Sequence, residues 1–260
     1  MSERKLAVVT GATSGIGWEL AKCAASDGYD LIVNARGEEL EDRASELEVF
    51  GVSAKAVRAD LGTESGVETL LSALSDRPVD VFCANAGLGK GGETFLDQEF
   101  HDAKDVIDLN CTGTARLIYD IGRHMRSRGE GRILVTGSIV DRIPGPFNAV
   151  YNASKAFIDS LAYAVRNELK DSGVTITVLM PGLTDTGFFD RANMENTEAA
   201  STSLKDDPET VAKDGWKAML AGKAGVVGGN PMNVVQHAFA GALPDKVNAE
   251  LHRILMKGFG

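Results

Sequence analysis

The sequence predicts an α/β protein built on one doubly wound parallel sheet of about seven strands, with helices on both faces. Three observations lead there. Short β-branched or apolar runs alternate with longer segments of helical periodicity along the chain. Several of those runs are apolar at consecutive positions, as strands covered on both faces are. A glycine-rich turn joins the first run directly to the first helical segment.

The strands are expected at residues 6–10, 31–35, 54–59, 79–84, 133–136 and 175–180, with a short seventh at 226–227. Between them, 15–28, 38–50, 64–74, 97–126 and 151–171 read as helices with glycine-rich junctions. Residues 184–207 break the pattern: they are polar, lack a sustained period and carry Phe188, Phe189 and Met194, so they are expected to form a lid over a pocket. Periodicity resumes after Pro208, with helices to about Leu220 and over 232–240 and 245–257. No linker divides the chain, so residues 1–260 read as a single domain with a lid and an extension over 208–260.

Composition narrows the function classes. At 260 residues and 43% hydrophobic content the chain can bury a sizeable core. Its 27 basic and 37 acidic side chains leave a formal charge of -10, which argues against nucleic-acid or anionic-membrane partners. Cys23, Cys83 and Cys111 are odd in number and widely spaced, the usage of reduced core thiols rather than of a disulfide framework. The four histidines show no metal-ligand spacing, so no metal is expected. The first strand starts almost at the N-terminus, leaving no room for a signal peptide, and no apolar run approaches the ~18 residues of a membrane span. A cytoplasmic protein is expected.

Gly11, Thr13, Ser14, Gly15, Ile16 and Gly17 lie between the first strand and the first helix. Their G-x-x-x-G-x-G spacing suits a turn in which phosphates approach backbone donors and the positive end of a helix dipole. At the end of the second strand, where an acid would bind a ribose 2′-hydroxyl, the sequence has Asn34-Ala35-Arg36. The Arg36 guanidinium suits a 2′-phosphate, so NADP(H) is favoured over NAD(H), with a solvated surface charge as the alternative. Asp60 and Leu61 follow the third strand, and Asn85, Ala86 and Gly87 the fourth, all at strand ends where such sheets bind ligands. Asp60 could meet the adenine amino group and the Asn85 turn the ribose; either could equally cap a helix or turn.

Tyr151 and Lys155 stand four residues apart, one helical turn, with Ser138 upstream. At about 4 Å and an effective dielectric of ~20, the ammonium would favour phenolate by up to ~4 kcal/mol. That is about three pKa units, enough to bring a phenol towards neutrality as a proton donor and acceptor. Pro181 and Gly182 break the chain after the sixth strand, and Leu183 to Thr186, with Thr184 and Thr186, could wrap a nicotinamide carboxamide, turn chemistry being the alternative for Gly182.

Taken in order, T-G-A-T-S-G-I-G, Asp60, N-A-G, Asn110, Ser138, Y-N-A-S-K and P-G-L-T-D-T resemble the short-chain dehydrogenase/reductase family over residues 5–187. The resemblance implies a Rossmann-type fold and hydride transfer between a nicotinamide cofactor and an alcohol/carbonyl substrate. It also implies Tyr151 as acid/base, Lys155 on the nicotinamide ribose, Ser138 orienting substrate and Asn110 supporting a water-linked proton relay. Homodimers or homotetramers paired through residues 98–126 and 151–170 follow from the same resemblance. An idle NADP-binding sensor or scaffold is the alternative from another class, and a carbon–carbon double-bond reductase the alternative on the same scaffold.

Overall fold

In the computed structural model, which describes residues 4–75, 77–187, 192, 197 and 205–256, seven strands pair in parallel. They are β1 (Leu6–Thr10), β2 (Asp30–Ala35), β3 (Ala54–Arg58), β4 (Val79–Ala84), β5 (Gly131–Thr136), β6 (Val174–Pro181) and β7 (Gly225–Gly228). The spatial order is β3-β2-β1-β4-β5-β6-β7. Winding reverses between β1 and β4, where Val8 pairs with Ile32 on one side and Phe82 on the other. That reversal opens a crevice at the carboxyl ends of the strands.

The described helices are α1 (Gly15–Ser26), α2 (Leu40–Leu47), α3 (Glu64–Leu74), α4 (Phe100–Ile107), α5 (Thr114–Arg128), α6 (Ala149–Glu168), α7 (Pro208–Leu220), α8 (Pro231–Ala242) and α9 (Asp245–Met256). Alternate strand residues feed two cores. Val8, Phe82, Ile133 and Val178 pack with Leu70 of α3, Ile121 of α5 and Ile158 of α6. Val9, Val81, Leu134 and Leu179 pack with Leu20 of α1, Leu47 of α2 and Met219 of α7 on the opposite face. Each fully buried side chain of this size contributes roughly 1.5–3 kcal/mol.

Local signals set the helix ends. Thr63 accepts from Gly66 N at 3.0 Å to open α3, and Asp207 accepts from Thr210 N at 3.0 Å ahead of Pro208 to open α7. Gly129, at φ +77°, closes α5 in the left-handed conformation.

The single helix expected over 97–126 is instead α4 and α5 joined by a π-helical turn, Asp108–Gly113. A Cβ on Gly113 would lie 2.0 Å from the Leu61 carbonyl oxygen, so the widened turn brings helix backbone against the loop after β3. α6 starts two residues earlier than expected, which puts Tyr151 in its first turn. Most of the expected lid, with Phe188, Phe189 and Met194, lies outside the described residues. Its two ends are held together, Asp185 N donating to Asp206 O at 2.9 Å and Asp206 N to Leu183 O at 2.7 Å. Among the described residues no helix is long and apolar enough to cross a membrane.

Candidate active site

A cleft of about 490 Å³ runs along the carboxyl ends of the strands. The turn after β1 forms one end of it. Gly11 and Gly15 have φ of +67° and +54°, and a Cβ on Gly17 would lie 2.1 Å from the Gly11 carbonyl oxygen. Only glycine permits this bare cradle. Ser14 precedes α1 without making a side-chain cap bond, and the first turn carries no acidic residue, so no carboxylate of that turn competes for its N–H groups. Thr13, Ser14, Ile16, Gly15 and Gly17 all face the cleft.

Thr10 and Asn85 lock the cradle to the sheet. The Thr10 hydroxyl accepts from Asn85 N and Ala86 N, both at 3.0 Å. Asn85 Nδ2 donates to Thr10 O at 3.1 Å, and its Oδ1 accepts from Thr136 Oγ1 at 3.0 Å. The Asn85 side chain therefore ties β1, β4 and β5 together, while Ala86 and Gly87 offer their surface to the cleft.

Arg36 projects from the end of β2, 59% exposed, with Nη1 3.4 Å from Asp60 Oδ2. Asp60 Oδ1 also accepts from Gly62 N at 2.9 Å, and Leu61 lines the cleft beside it. Sequence reasoning missed Glu39, whose carboxylate folds back over Gly37; a Cβ on Gly37 would meet it at 2.2 Å. An acid thus does reach this corner, from the turn after the strand rather than from the strand end itself.

At the other end, Ser138 follows β5 and hydrogen-bonds Tyr151, and Lys155 lies one turn along α6. Lys155 is 6% exposed and donates to Thr136 O at 2.7 Å, its ammonium 5.6 Å from the centre of the Tyr151 ring. The expected downward pull on the phenol is not what this geometry produces. Burial holds Tyr151 well above its ordinary value, with the Ser138 hydrogen bond acting against that and the Asp159 charge reinforcing it. The Lys155 ammonium is hydrogen-bonded to a strand carbonyl rather than to the phenol, and burial is the largest influence on Tyr151. Burial in turn lowers Lys155, opposed by the nearby Asp159 charge.

Asn110 sits behind the cleft in the π-helical turn, 4% exposed. Its amide donates to Leu88 O at 2.8 Å and to Ser154 Oγ at 3.0 Å, and its Oδ1 accepts from Leu88 N at 2.8 Å. A Cβ on Gly87 would lie 3.5 Å from Asn110 Oδ1 and 3.6 Å from Lys155 Nζ, so both groups stand against the same glycine.

Pro181, Gly182, Thr184 and Thr186 line the cleft beyond β6. The Thr184 hydroxyl donates to Gly182 O at 3.1 Å, and a Cβ on Gly15 would lie 2.7 Å from the Thr186 side chain. The segment therefore closes on the glycine turn. Asn148, His252 and Met256 complete the wall and were not foreseen. His252 Nδ1 is 3.2 Å from Pro146 O, and Nε2 is 3.3 Å from Asn152 Nδ2. No local pattern marks a histidine that meets its partners a hundred residues away. Among the described residues no group of three or more potential metal ligands occurs.

Residues 5–197 match the family described as short chain dehydrogenase, and the chain belongs to that family of oxidoreductases. A Streptomyces coelicolor protein whose name proposes a ketoacyl reductase is 36% identical over 191 residues, covering 71% of this chain and 72% of the relative. A short-chain dehydrogenase of Sphingobium yanoikuyae, solved in complex with NADPH, superposes with a TM-score of 0.81 at 26% identity over 92% of this chain and 93% of that one. A Burkholderia phymatum short chain dehydrogenase/reductase in complex with NAD shares the fold, with a TM-score of 0.80 at 24% identity over 91% and 92% of the two chains.

Proposed function

We propose that this chain transfers hydride between NADP(H) and an alcohol/carbonyl substrate, with Tyr151 as the proton donor and acceptor. One observation carries the reading: the hydrogen-bonded Ser138–Tyr151 pair and the buried Lys155 share a cleft with a glycine cradle that a single Cβ would fill. The cradle of Gly11 to Gly17 and the α1 N-terminus would hold the pyrophosphate. Arg36 would meet a 2′-phosphate, Asp60 and Leu61 the adenine, Ala86 and Gly87 the ribose, and Pro181 to Thr186 the nicotinamide. When bound, the cofactor supplies the hydride.

The chain's own residues do the rest. Ser138 Oγ and Tyr151 Oη converge on one point, where a substrate oxygen would receive two hydrogen bonds as negative charge develops. A phenol whose pKa burial holds high stays protonated in the resting site, ready to donate as an alkoxide forms. Lys155 would grip the nicotinamide ribose. Asn110 supports a water-linked proton relay from behind, by holding the Leu88 backbone and the π-helical turn.

Tyr151→Phe tests this. Turnover should fall by roughly 10³-fold or more, with NADPH affinity within about threefold of wild type; substantial residual turnover defeats the assignment. An idle sensor would bind cofactor equally well in both forms and reduce no member of a carbonyl panel. A double-bond reductase would consume NADPH with enones and not with saturated ketones.

Glu39 favours a second reading of the cofactor, since its carboxylate suits the 2′-hydroxyl of NAD(H) and would repel a 2′-phosphate. We retain NADP(H) because Arg36 is the cleft's one cation at this corner among the described residues. The chain is read as one domain with a lid, assembling as a homodimer or homotetramer through α4, α5 and α6. Phe100, Ile107, Tyr119 and Phe157 expose apolar surface on those helices. Cytoplasmic residence is supported by three cysteines without disulfide partners.

A further inference from the structure

Asp159 lies one helical turn beyond Lys155 and two beyond Tyr151, so the three share one face of α6. Asp159 is 2% exposed, and its carboxyl oxygens have no side-chain hydrogen-bond partner among the described residues, with only the Ser138 backbone amide turned towards them. Gly137 makes room for it: a Cβ there would lie 2.1 Å from Oδ1. Gly137 and Ser138 separate it from the cleft, which they line. A buried carboxylate with a single backbone donor is costly, and the mechanism above gives Asp159 no task. Lys155 poses the complementary problem, a buried ammonium whose one hydrogen bond among the described residues goes to a neutral carbonyl.

We infer that Asp159 is the counter-charge of Lys155, a positioning residue that holds the lysine as an ammonium beside Tyr151. The functional part of this rests on the reading of Lys155 given above. Asp159 faces Lys155 on its own helix, and Asp141, Arg142 and the Ser138 backbone amide on the loop after β5. Asp141 is itself engaged by His237 of α8 at 3.0 Å and Arg142 at 3.7 Å. Lys155 faces Asp159 and, from the π-helical turn, the Cys111 thiol. Burial pushes the carboxyl up and the ammonium down, while each one's charge opposes the shift of the other.

The proton count gives the consequence. Fully protonated, the pair carries one positive charge. The first proton released to water leaves one proton for two groups, and the inferred pairing assigns it to the amine beside a carboxylate. On this inference Asp159 loses its proton first and Lys155 stays cationic. With an amide at position 159, the first proton lost has to come from Lys155.

Asp159→Asn keeps the shape and one acceptor oxygen and removes the charge. Lysine labelled with ¹³C at Cε reports the ammonium directly, and Lys155→Arg assigns the signal. The Lys155 midpoint should fall by about one pH unit or more in Asp159→Asn. The alkaline limb of kcat/KM for carbonyl reduction should move down by the same amount, and Asp159→Glu should restore both. An unchanged midpoint overturns the inference. If Asp159→Asn does not fold, wild-type protein labelled at aspartate Cγ decides: Asp159 should titrate well above the ordinary ~4, and titration in the ordinary range overturns the pairing. A shifted Lys155 midpoint with an unmoved kcat/KM profile upholds the pairing and defeats the catalytic reading of Lys155 instead.

Discussion

Asn110 and Leu88 hold each other by two hydrogen bonds of 2.8 Å, the side-chain amide donating to the Leu88 carbonyl and its oxygen accepting from the Leu88 N–H. A third bond, to Ser154 Oγ, reaches α6, where that hydroxyl donates to the Tyr151 carbonyl oxygen at 2.7 Å. One buried amide thus links the strand-four loop, the π-helical turn and the helix that carries Tyr151. Asn110→Leu leaves both Leu88 backbone groups without partners, at ~1–3 kcal/mol each. The urea midpoint should drop accordingly, and turnover should fall with it even though position 110 does not face the cleft. A variant of wild-type stability would show that the network is not what holds the loop.

The Arg36 corner sets one guanidinium among two carboxylates, Asp60 and Glu39, so the proposed choice of cofactor can be tested there. The Arg36–Asp60 pair is exposed on both sides, so it is worth little and leaves the guanidinium free to turn to a ligand. Arg36→Ala should lower the NADPH-to-NADH ratio of kcat/KM by roughly tenfold or more. Glu39→Gln should raise that ratio severalfold by removing repulsion. A ratio that responds to Glu39→Gln and ignores Arg36→Ala would assign the enzyme to NAD(H).

His252 makes the fold sensitive to acid. A carbonyl can only accept, so Nδ1–H donates to Pro146 O and Nε2 accepts from Asn152 Nδ2, which also donates to Ile143 O at 2.9 Å. Protonation would set one donor against another, and burial already holds this histidine below its ordinary value. A base with a depressed folded-state pKa binds fewer protons folded than unfolded, so stability rises with pH across that window. The contribution is complete above ~6.5 and is lost as pH falls through the folded value. Urea midpoints at pH 7.5 and 5.5 should differ more in wild type than in His252→Gln; equal differences would remove His252 from the account.

Much of the site is legible along the chain because its chemistry is local. The glycine turn must follow a strand and open a helix, and a phenol and an ammonium one turn apart must share a helix face. All eighteen predicted cofactor contacts, Tyr151 and Lys155 among them, and three of the four predicted catalytic residues line one cleft. Asn110 is the exception, and its departure shows the limit. Its residue type marks it as unusual inside a helix, yet only the π-helical turn decides that its amide reads Leu88 and Ser154.

What the sequence determined by itself was therefore the order of strands and helices, the glycine cradle and the Tyr151–Lys155 pair, since each follows from backbone periodicity and sterics over a few residues. The tertiary structure alone decided which groups meet across distance: His252 against Pro146 and Asn152, Glu39 over Gly37, and Asp159 beneath Gly137. It also reversed the expected sign at Tyr151. A charge four residues away is visible in the sequence, whereas the direction in which an ammonium points, and the burial that outweighs it, exist only after the two cores have closed around the sheet.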